Sequence, residues 1–337
     1  MTKRTGLVLT LLILSAMLLL CGCGKDADNK RNPAAGGGGK EQAGALDINA
    51  LTAQWAESPH SNILLAPAQR DGCVVCHDGG AFAENQTEVA AIERDFFVSI
   101  DCRACHTGQG AELMAAGRVD IPTAENVAGG TGALCMFCHN SRKAPKLDDE
   151  QRTAPHYSSQ ADLVSGSGGL RLEGFDYKNT DAHVKLENSC VDCHLTQTAE
   201  GFASHSFEFD NVEAACARCH QQITDENLPA AGDYDGDGDK EGFQTEVEGL
   251  LTLLQEAVTA ELAGGSFASD HGKIVFKDQE GTELAEVPDE LYQAAYNYLL
   301  VSSDGSLGIH NPALTVQLLQ QSYKALTGQN VPQAEIK

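Results

Sequence analysis

Cys73-Val74-Val75-Cys76-His77, Cys102-Arg103-Ala104-Cys105-His106, Cys135-Met136-Phe137-Cys138-His139, Cys190-Val191-Asp192-Cys193-His194 and Cys216-Ala217-Arg218-Cys219-His220 are five copies of one pattern, C-x-x-C-H. A Cys-x-x-Cys pair alone is ambiguous, because zinc ribbons and thioredoxin-like sites also use it. Histidine is only about one residue in thirty here. Its recurrence after all five pairs by chance would be an event on the order of one in ten million. The pattern reads as covalent haem attachment. Each cysteine pair forms two thioethers, and the adjacent histidine is placed to bind iron from one side. Five motifs predict five haems.

The chain has 12 cysteines. Ten belong to the motifs, and Cys21 and Cys23 stand at the end of an N-terminal apolar run, so no thiol is left for a disulfide. That run, Leu7 to Leu20, follows the cations Lys3 and Arg4 and is short for a membrane span. Leu20-Cys21-Gly22-Cys23 is similar to a bacterial lipoprotein signal, with the small residue Gly22 directly before a lipidated Cys23. Residues 1–22 are therefore expected to be a signal peptide, and Cys23 to carry a lipid anchor. Residues 23–46, with Gly36-Gly37-Gly38-Gly39 and no apolar periodicity, read as a flexible tether. The implied location is the cell envelope, on an outer membrane facing either the periplasm or the exterior. Gly24 stands where lipoproteins retained at the inner membrane carry aspartate.

A haem with one histidine has a second face to fill. Met1 and Met17 lie in the signal and Met136 lies inside a motif, which leaves Met114 as the one free methionine. Six histidines lie outside the motifs: His60, His156, His183, His205, His271 and His310. Six candidates for five faces predict bis-histidine ligation throughout, with one histidine spare. His271, in a polar Ser-Asp-His-Gly stretch, is the expected spare. His310 lies in His-Asn-Pro, where Asn311 can cap a helix with Pro312 in its first turn. The iron ligands expected are thus His77, His106, His139, His194 and His220 on one side, and His60, His156, His183, His205 and His310 on the other.

Ser58-Pro59-His60 before the first motif, Ser204-His205-Ser206-Phe207 after the fourth and Gly308-Ile309-His310-Asn311-Pro312 near the end add a resemblance to the motif count. Together they resemble the multihaem cytochromes c of metal-respiring anaerobic bacteria. More distantly, they are similar to the family of cytochrome c nitrite reductase and the octahaem cytochromes. The resemblance covers roughly residues 55–327 and implies electron transfer in anaerobic respiration. The partners it implies are other redox proteins of the periplasm and outer membrane, or an external acceptor. All five motifs end in histidine and none in lysine, which departs from the lysine-ligated catalytic haem of nitrite reductases. On that ground the chain is expected to be an electron carrier and not an enzyme. Two alternatives are a reductase with one open haem, and a subunit of a haem-lined filament.

The fold class expected is mainly α: a haem-packed cytochrome with little regular structure, followed by a C-terminal helical cap. Aromatic residues make up 6% of the chain and Trp55 is the one tryptophan, a thin supply for a core of side chains alone. The motifs begin at 73, 102, 135, 190 and 216, leaving gaps of 29, 33, 55 and 26 residues that hold the haems close together. Residues 47–228 form the pentahaem region and 229–337 a second region. The latter opens on Asp233-x-Asp235-x-Asp237-Gly238-Asp239, which reads as a calcium loop with Glu246 as a further ligand, or as a plain acidic turn. Val247, Leu250, Leu251, Leu254, Val258 and Leu262 then recur at helical spacing, and 289–301 and 312–326 are likewise amphipathic. The net charge of −25 excludes a nucleic-acid binder.

Overall fold

The computed structural model describes residues 46–337 apart from Asp210; the signal segment, Cys23 and nearly all of the tether lie outside the described residues. The described residues hold fourteen α-helices and two small antiparallel sheets, a mainly α fold. Among them no helix is long and apolar enough to cross a membrane.

In the first two-thirds of the chain the helices are short, and each haem motif sits on one. Val74–His77, Cys102–His106, Ala133–Cys138 and Cys190–His194 each span about one turn; Val212–Cys216 delivers the fifth motif at its C-terminal end. One turn suffices, because residues at i, i+3 and i+4 share a helix face. The turn closes by bonds such as His139 N to Cys135 O (2.9 Å) and His220 N to Cys216 O (2.9 Å). Caps make such short helices viable: Asp101 accepts from Arg103 N ahead of the second motif, and Asn211 from Ala214 N ahead of the fifth. A hairpin of Arg118–Ile121 and Ala124–Ala128 builds a small core of its own with Ala133, Met136 and Ala161.

The main core lies further along. The helices Phe243–Glu261, Asp289–Asp304 and Pro312–Thr327 pack on one another, and Val247, Leu250, Leu254, Val258, Leu300, Leu314 and Leu318 are fully buried or nearly so. All six apolar positions expected on the first of these helices are buried. The core also takes in Ala154, Leu163 and Leu170 from the haem-bearing region. The helical segment is thus the packing centre onto which the long gap between the third and fourth motifs folds. Gly169 makes this possible: its φ is +88°, and a Cβ there would stand 2.5 Å from Leu318 Cδ2. Beside it the buried amide of Asn297 accepts from Leu170 N (2.8 Å) and donates to Leu170 O (2.7 Å). That satisfies a segment with no regular partner of its own.

One detail differs from the sequence expectation, and a second adds to it. Asn311 stands at the cap position, but its side chain makes no cap bond. Its amide donates to Leu163 O and Asn179 Oδ1 and accepts from Thr180 N, while Thr180 Oγ1 accepts from Ala313 N at the helix start. The polar stretch holding His271 is the tip of a hairpin, Ser266–Asp270 with Lys273–Lys277. Its two-residue turn has φ of +48° at His271 and +78° at Gly272, the twist that suits a tight hairpin.

Candidate haem-binding sites

The imidazoles fall into five pairs. His77 faces His156 with ring centres 6.4 Å apart, His106 faces His205 at 6.2 Å, and His139 faces His60 at 6.1 Å. His194 faces His310 at 6.4 Å and His220 faces His183 at 6.3 Å. Every pair joins one motif histidine to one non-motif histidine, and no ring serves twice. An iron held between two imidazoles sets their centres about 6 Å apart, from two metal–nitrogen bonds of about 2 Å and about 1 Å from each nitrogen to its ring centre. The residues therefore fit the group: each gap is the width of one iron, with cysteines one and four residues before the histidine that forms one of its walls. His271 is outside this set. Its side chain is 83% exposed at the hairpin tip, with Nδ1 2.6 Å from Asp270 Oδ1.

Six of the ten rings are aimed by a partner of Nδ1. Carbonyl oxygens only accept, so an Nδ1 bonded to one carries the hydrogen and leaves the lone pair on Nε2. His183 Nδ1 donates to Ile309 O (2.5 Å), His205 Nδ1 to Ala203 O (2.9 Å) and His194 Nδ1 to Phe207 O (3.2 Å). His139 Nδ1 meets Gln160 Oε1 at 3.1 Å, His156 Nδ1 meets Ser158 Oγ at 2.8 Å, and His310 Nδ1 donates to Asp304 Oδ1 at 2.6 Å. Burial favours the neutral form, which a ligand must have, at five of the ten rings. It pushes His60 and His156 down to about 4 and also lowers His77, His139 and His194. His310 goes the other way: burial lowers it, but the Asp304 carboxylate outweighs burial and raises it.

The attachment cysteines place the sites close together. Cys76 lies against Cys138, and Cys135 against Cys190, so the first and third sites abut, and the third and fourth. Glycine allows the second contact. Gly130 has φ of +51°, and a Cβ on it would lie 2.1 Å from Glu187 O; one on Gly132 would lie 2.5 Å from Asn188 O. Phe207 joins a further set. Its ring packs edge-on against His60 (4.7 Å) and against His205 (6.0 Å), while its carbonyl holds His194.

In the acidic loop, Asp233, Asp235 and Asp237 present carboxylate oxygens that all lie within 4.8 Å of one another. Asp239 is not in that group. Nor is Glu246: its buried carboxylate accepts from Tyr234 N (2.6 Å), Asp235 N (3.4 Å) and Glu241 N (3.0 Å), clamping the loop backbone. The Nδ1 partners are the functional residues that the sequence reading missed. Ser158 and Ala203 lie two residues from their histidines, within reach of local reasoning. Asp304 and Gln160 are brought in by the fold.

Residues 173–334 match the family model for cytochrome c552. The match takes in the fourth and fifth motifs, His183, His205 and His310, and all three long helices. Comparison with curated proteins and with solved structures gives no match. The cytochrome c552 family is of the nitrite-reductase type and its members are enzymes, which overturns the expectation that this chain is not one. That expectation rested on the missing C-x-x-C-K motif and on a histidine count, which speak to one known catalytic ligand and not to catalysis as such. With its haem-attachment motifs on a mainly α scaffold and this match over its C-terminal half, the chain is a multihaem c-type cytochrome related to the nitrite-reductase family.

Proposed function

We propose that the chain carries five haems c, each between a motif histidine and a non-motif histidine, and passes electrons along them in a respiratory chain at a bacterial cell envelope. The observation that supports this reading is the set of five imidazole pairs at 6.1–6.4 Å, formed without a shared or leftover motif ring. Bound haem supplies one-electron chemistry at iron. The chain's residues supply the rest. Ten cysteines fix the attachment points, Nδ1 partners fix the ring tautomers, and abutting motifs keep the sites near one another. The lipoprotein signal read at residues 1–23 supports anchoring to the outer membrane, where periplasmic cytochromes or an external acceptor would be partners. We extend the proposal to the acidic loop, where Asp233, Asp235 and Asp237 would share one calcium ion.

A second reading is reduction of a small oxidant at one of these sites, and two observations favour it. One is the match to a family of enzymes. The other is His60, the one non-motif histidine of the five pairs whose ring makes no hydrogen bond among the described residues, so that packing against Phe207 is its chief restraint. Electron transfer and catalysis are compatible in such an arrangement.

Electron paramagnetic resonance of the oxidised protein tests both readings. The expected spectrum is wholly low-spin, and His310→Ala should convert one haem in five to high-spin while His271→Ala converts none. A high-spin haem in the unaltered protein would displace the first reading in favour of the second. An intact mass that exceeds the processed chain by less than roughly 3 kDa would remove the count of five haems.

A further inference from the structure

The five non-motif histidines that face a motif histidine differ in what holds Nδ1. For His183 and His205 it is a backbone carbonyl, for His156 the hydroxyl and the backbone N–H of Ser158, and for His60 nothing among the described residues. His310 alone has a carboxylate, Asp304 Oδ1 at 2.6 Å, and that aspartate side chain is 0% exposed. Its second oxygen accepts from Ser306 Oγ and from Ser306 N (3.3 Å), so the group is fixed in place.

Asp304 is also an awkward residue for a helix to carry there. It is the last residue of Asp289–Asp304, before Gly305 at φ +76°. A negative charge at a helix C-terminus opposes the helix dipole, and burying it adds a desolvation cost. An acid kept against both rules points to a charge it serves, and the group it faces is the His310 imidazole.

Resting on the ligation proposed above, we infer that Asp304 makes the His194–His310 site the lowest-potential haem of the five. A carboxylate that accepts the Nδ1 hydrogen draws it away from the ring and makes Nε2 the stronger donor. A stronger donor, with a fixed negative charge nearby, favours the oxidised iron over the reduced one. A neutral carbonyl or hydroxyl does so less. Gln160 ties the neighbouring site to the backbone of the same residue and not to its charge: its Nε2 donates to Asp304 O (3.1 Å) while its Oε1 meets His139 Nδ1 (3.1 Å). The carboxylate itself reaches only His310. Electrons would then rest on the other haems and reach this site only uphill. Asp304 is a positioning residue that acts through His310.

Redox titration of the intact holoprotein, followed by absorbance with spin state checked in parallel, tests this. In Asp304→Asn one of five midpoints should rise, the lowest, with the other four unmoved and every iron still low-spin. Asp304→Glu, which keeps the charge, should return most of the shift. Independently of any Asp304 variant, His310→Ala should remove the lowest wave from the titration of the low-spin haems. If His310→Ala opens an iron but the wave lost is a higher one, or if Asp304→Asn leaves all midpoints in place, the inference about Asp304 falls and the ligation stands. A high-spin fraction in Asp304→Asn would show that the carboxylate only holds the ring, and would overturn it too. If His310→Ala opens no iron, the ligation itself has failed.

Discussion

A histidine offers two nitrogens, and the sequence says which residue can bind iron but not which nitrogen is free to do so. The motif histidines and the five non-motif histidines that face them could be named in the sequence, though not which faces which, because C-x-x-C-H is a local code and the remaining histidines are few. The Nδ1 partners were not, since a carbonyl such as Ile309 O, 126 residues from His183, leaves no trace in a sequence. Phe207 shows the same limit. Its neighbours in sequence suggested only a haem context, whereas its ring touches two of the paired histidines and its carbonyl a third. It adopts φ of +59°, a region a bulky side chain enters at a cost, so the contacts must offset that cost. Two aromatic pairs contribute about 0.5–1.5 kcal/mol each. Phe207→Ala should therefore lose about 1–3 kcal/mol in denaturant unfolding, and should broaden the low-spin signals of two haems. Sharp, unchanged signals would mean that His60 and His205 are held without it. Gly130→Ala makes a harsher test: a methyl 2.1 Å from Glu187 O forces the third and fourth sites apart. The expected result is a lower haem content in the purified protein, read as the haem-to-protein absorbance ratio.

At the scale of elements, the long helices were legible and the hairpins were not. Val247, Leu250, Leu254 and Val258 recur at helical spacing and are all buried. The strands Ser266–Asp270 and Lys273–Lys277 join through His-Gly, which lacks the Asn-Gly or Asp-Gly signature that marks such turns. Helix faces were legible only on their apolar side. Gln293, Asn297, Gln317 and Gln320 are also buried, because irregular segments lie over those faces and need side-chain amides for their backbone groups. Gln320 Nε2, for example, donates to both Tyr234 O (2.9 Å) and Glu335 O (2.9 Å). Leu254, fully buried at the centre of this packing, should cost about 2–5 kcal/mol when cut to alanine, with the haem absorbance of the folded protein unaltered. The acidic loop is tied to the same core by Glu246. With calcium bound, repulsion among Asp233, Asp235 and Asp237 is relieved. Chelation should then lower the melting temperature, and Asp235→Ala should lower it without responding to chelator. No effect of either treatment would make the loop a plain acidic turn.

For the whole molecule the weight of packing was the least legible property. The sequence pointed to a haem-packed region with a helical cap at the end; the largest core of side chains lies in those C-terminal helices and reaches back to Ala154, Leu163 and Leu170. Contacts of that span arise from chain folding and not from periodicity. The segment from 141 to 154 is where the haem-bearing region is fastened to this core. Ile274 N donates to Arg152 O (2.7 Å), and Tyr292 Oη donates to Thr153 O (2.8 Å). Asp149 organises that segment. Its carboxylate accepts from the Thr153 hydroxyl, from Gln151 N (3.1 Å) and Thr153 N (3.3 Å), and from Lys143 Nζ (3.2 Å). Burial would push Asp149 up, but these bonds outweigh it and hold the carboxyl down at about 2, below the ordinary 3.8. The folded state therefore prefers the charged form, and the unfolded chain binds a proton first as pH falls. The resulting stabilisation is complete above about pH 4 and is lost as pH drops toward about 2. Asp149→Asn cannot ionise, so the gap in unfolding midpoint between it and the unaltered protein should be full at neutral pH and close within that window. The many other carboxylates of this acidic chain titrate in both proteins and cancel in the difference. A gap that stays constant from pH 7 to pH 2 would mean that Asp149 acts through shape alone, and the fastening would then have to be sought in the backbone bonds of Arg152 and Thr153.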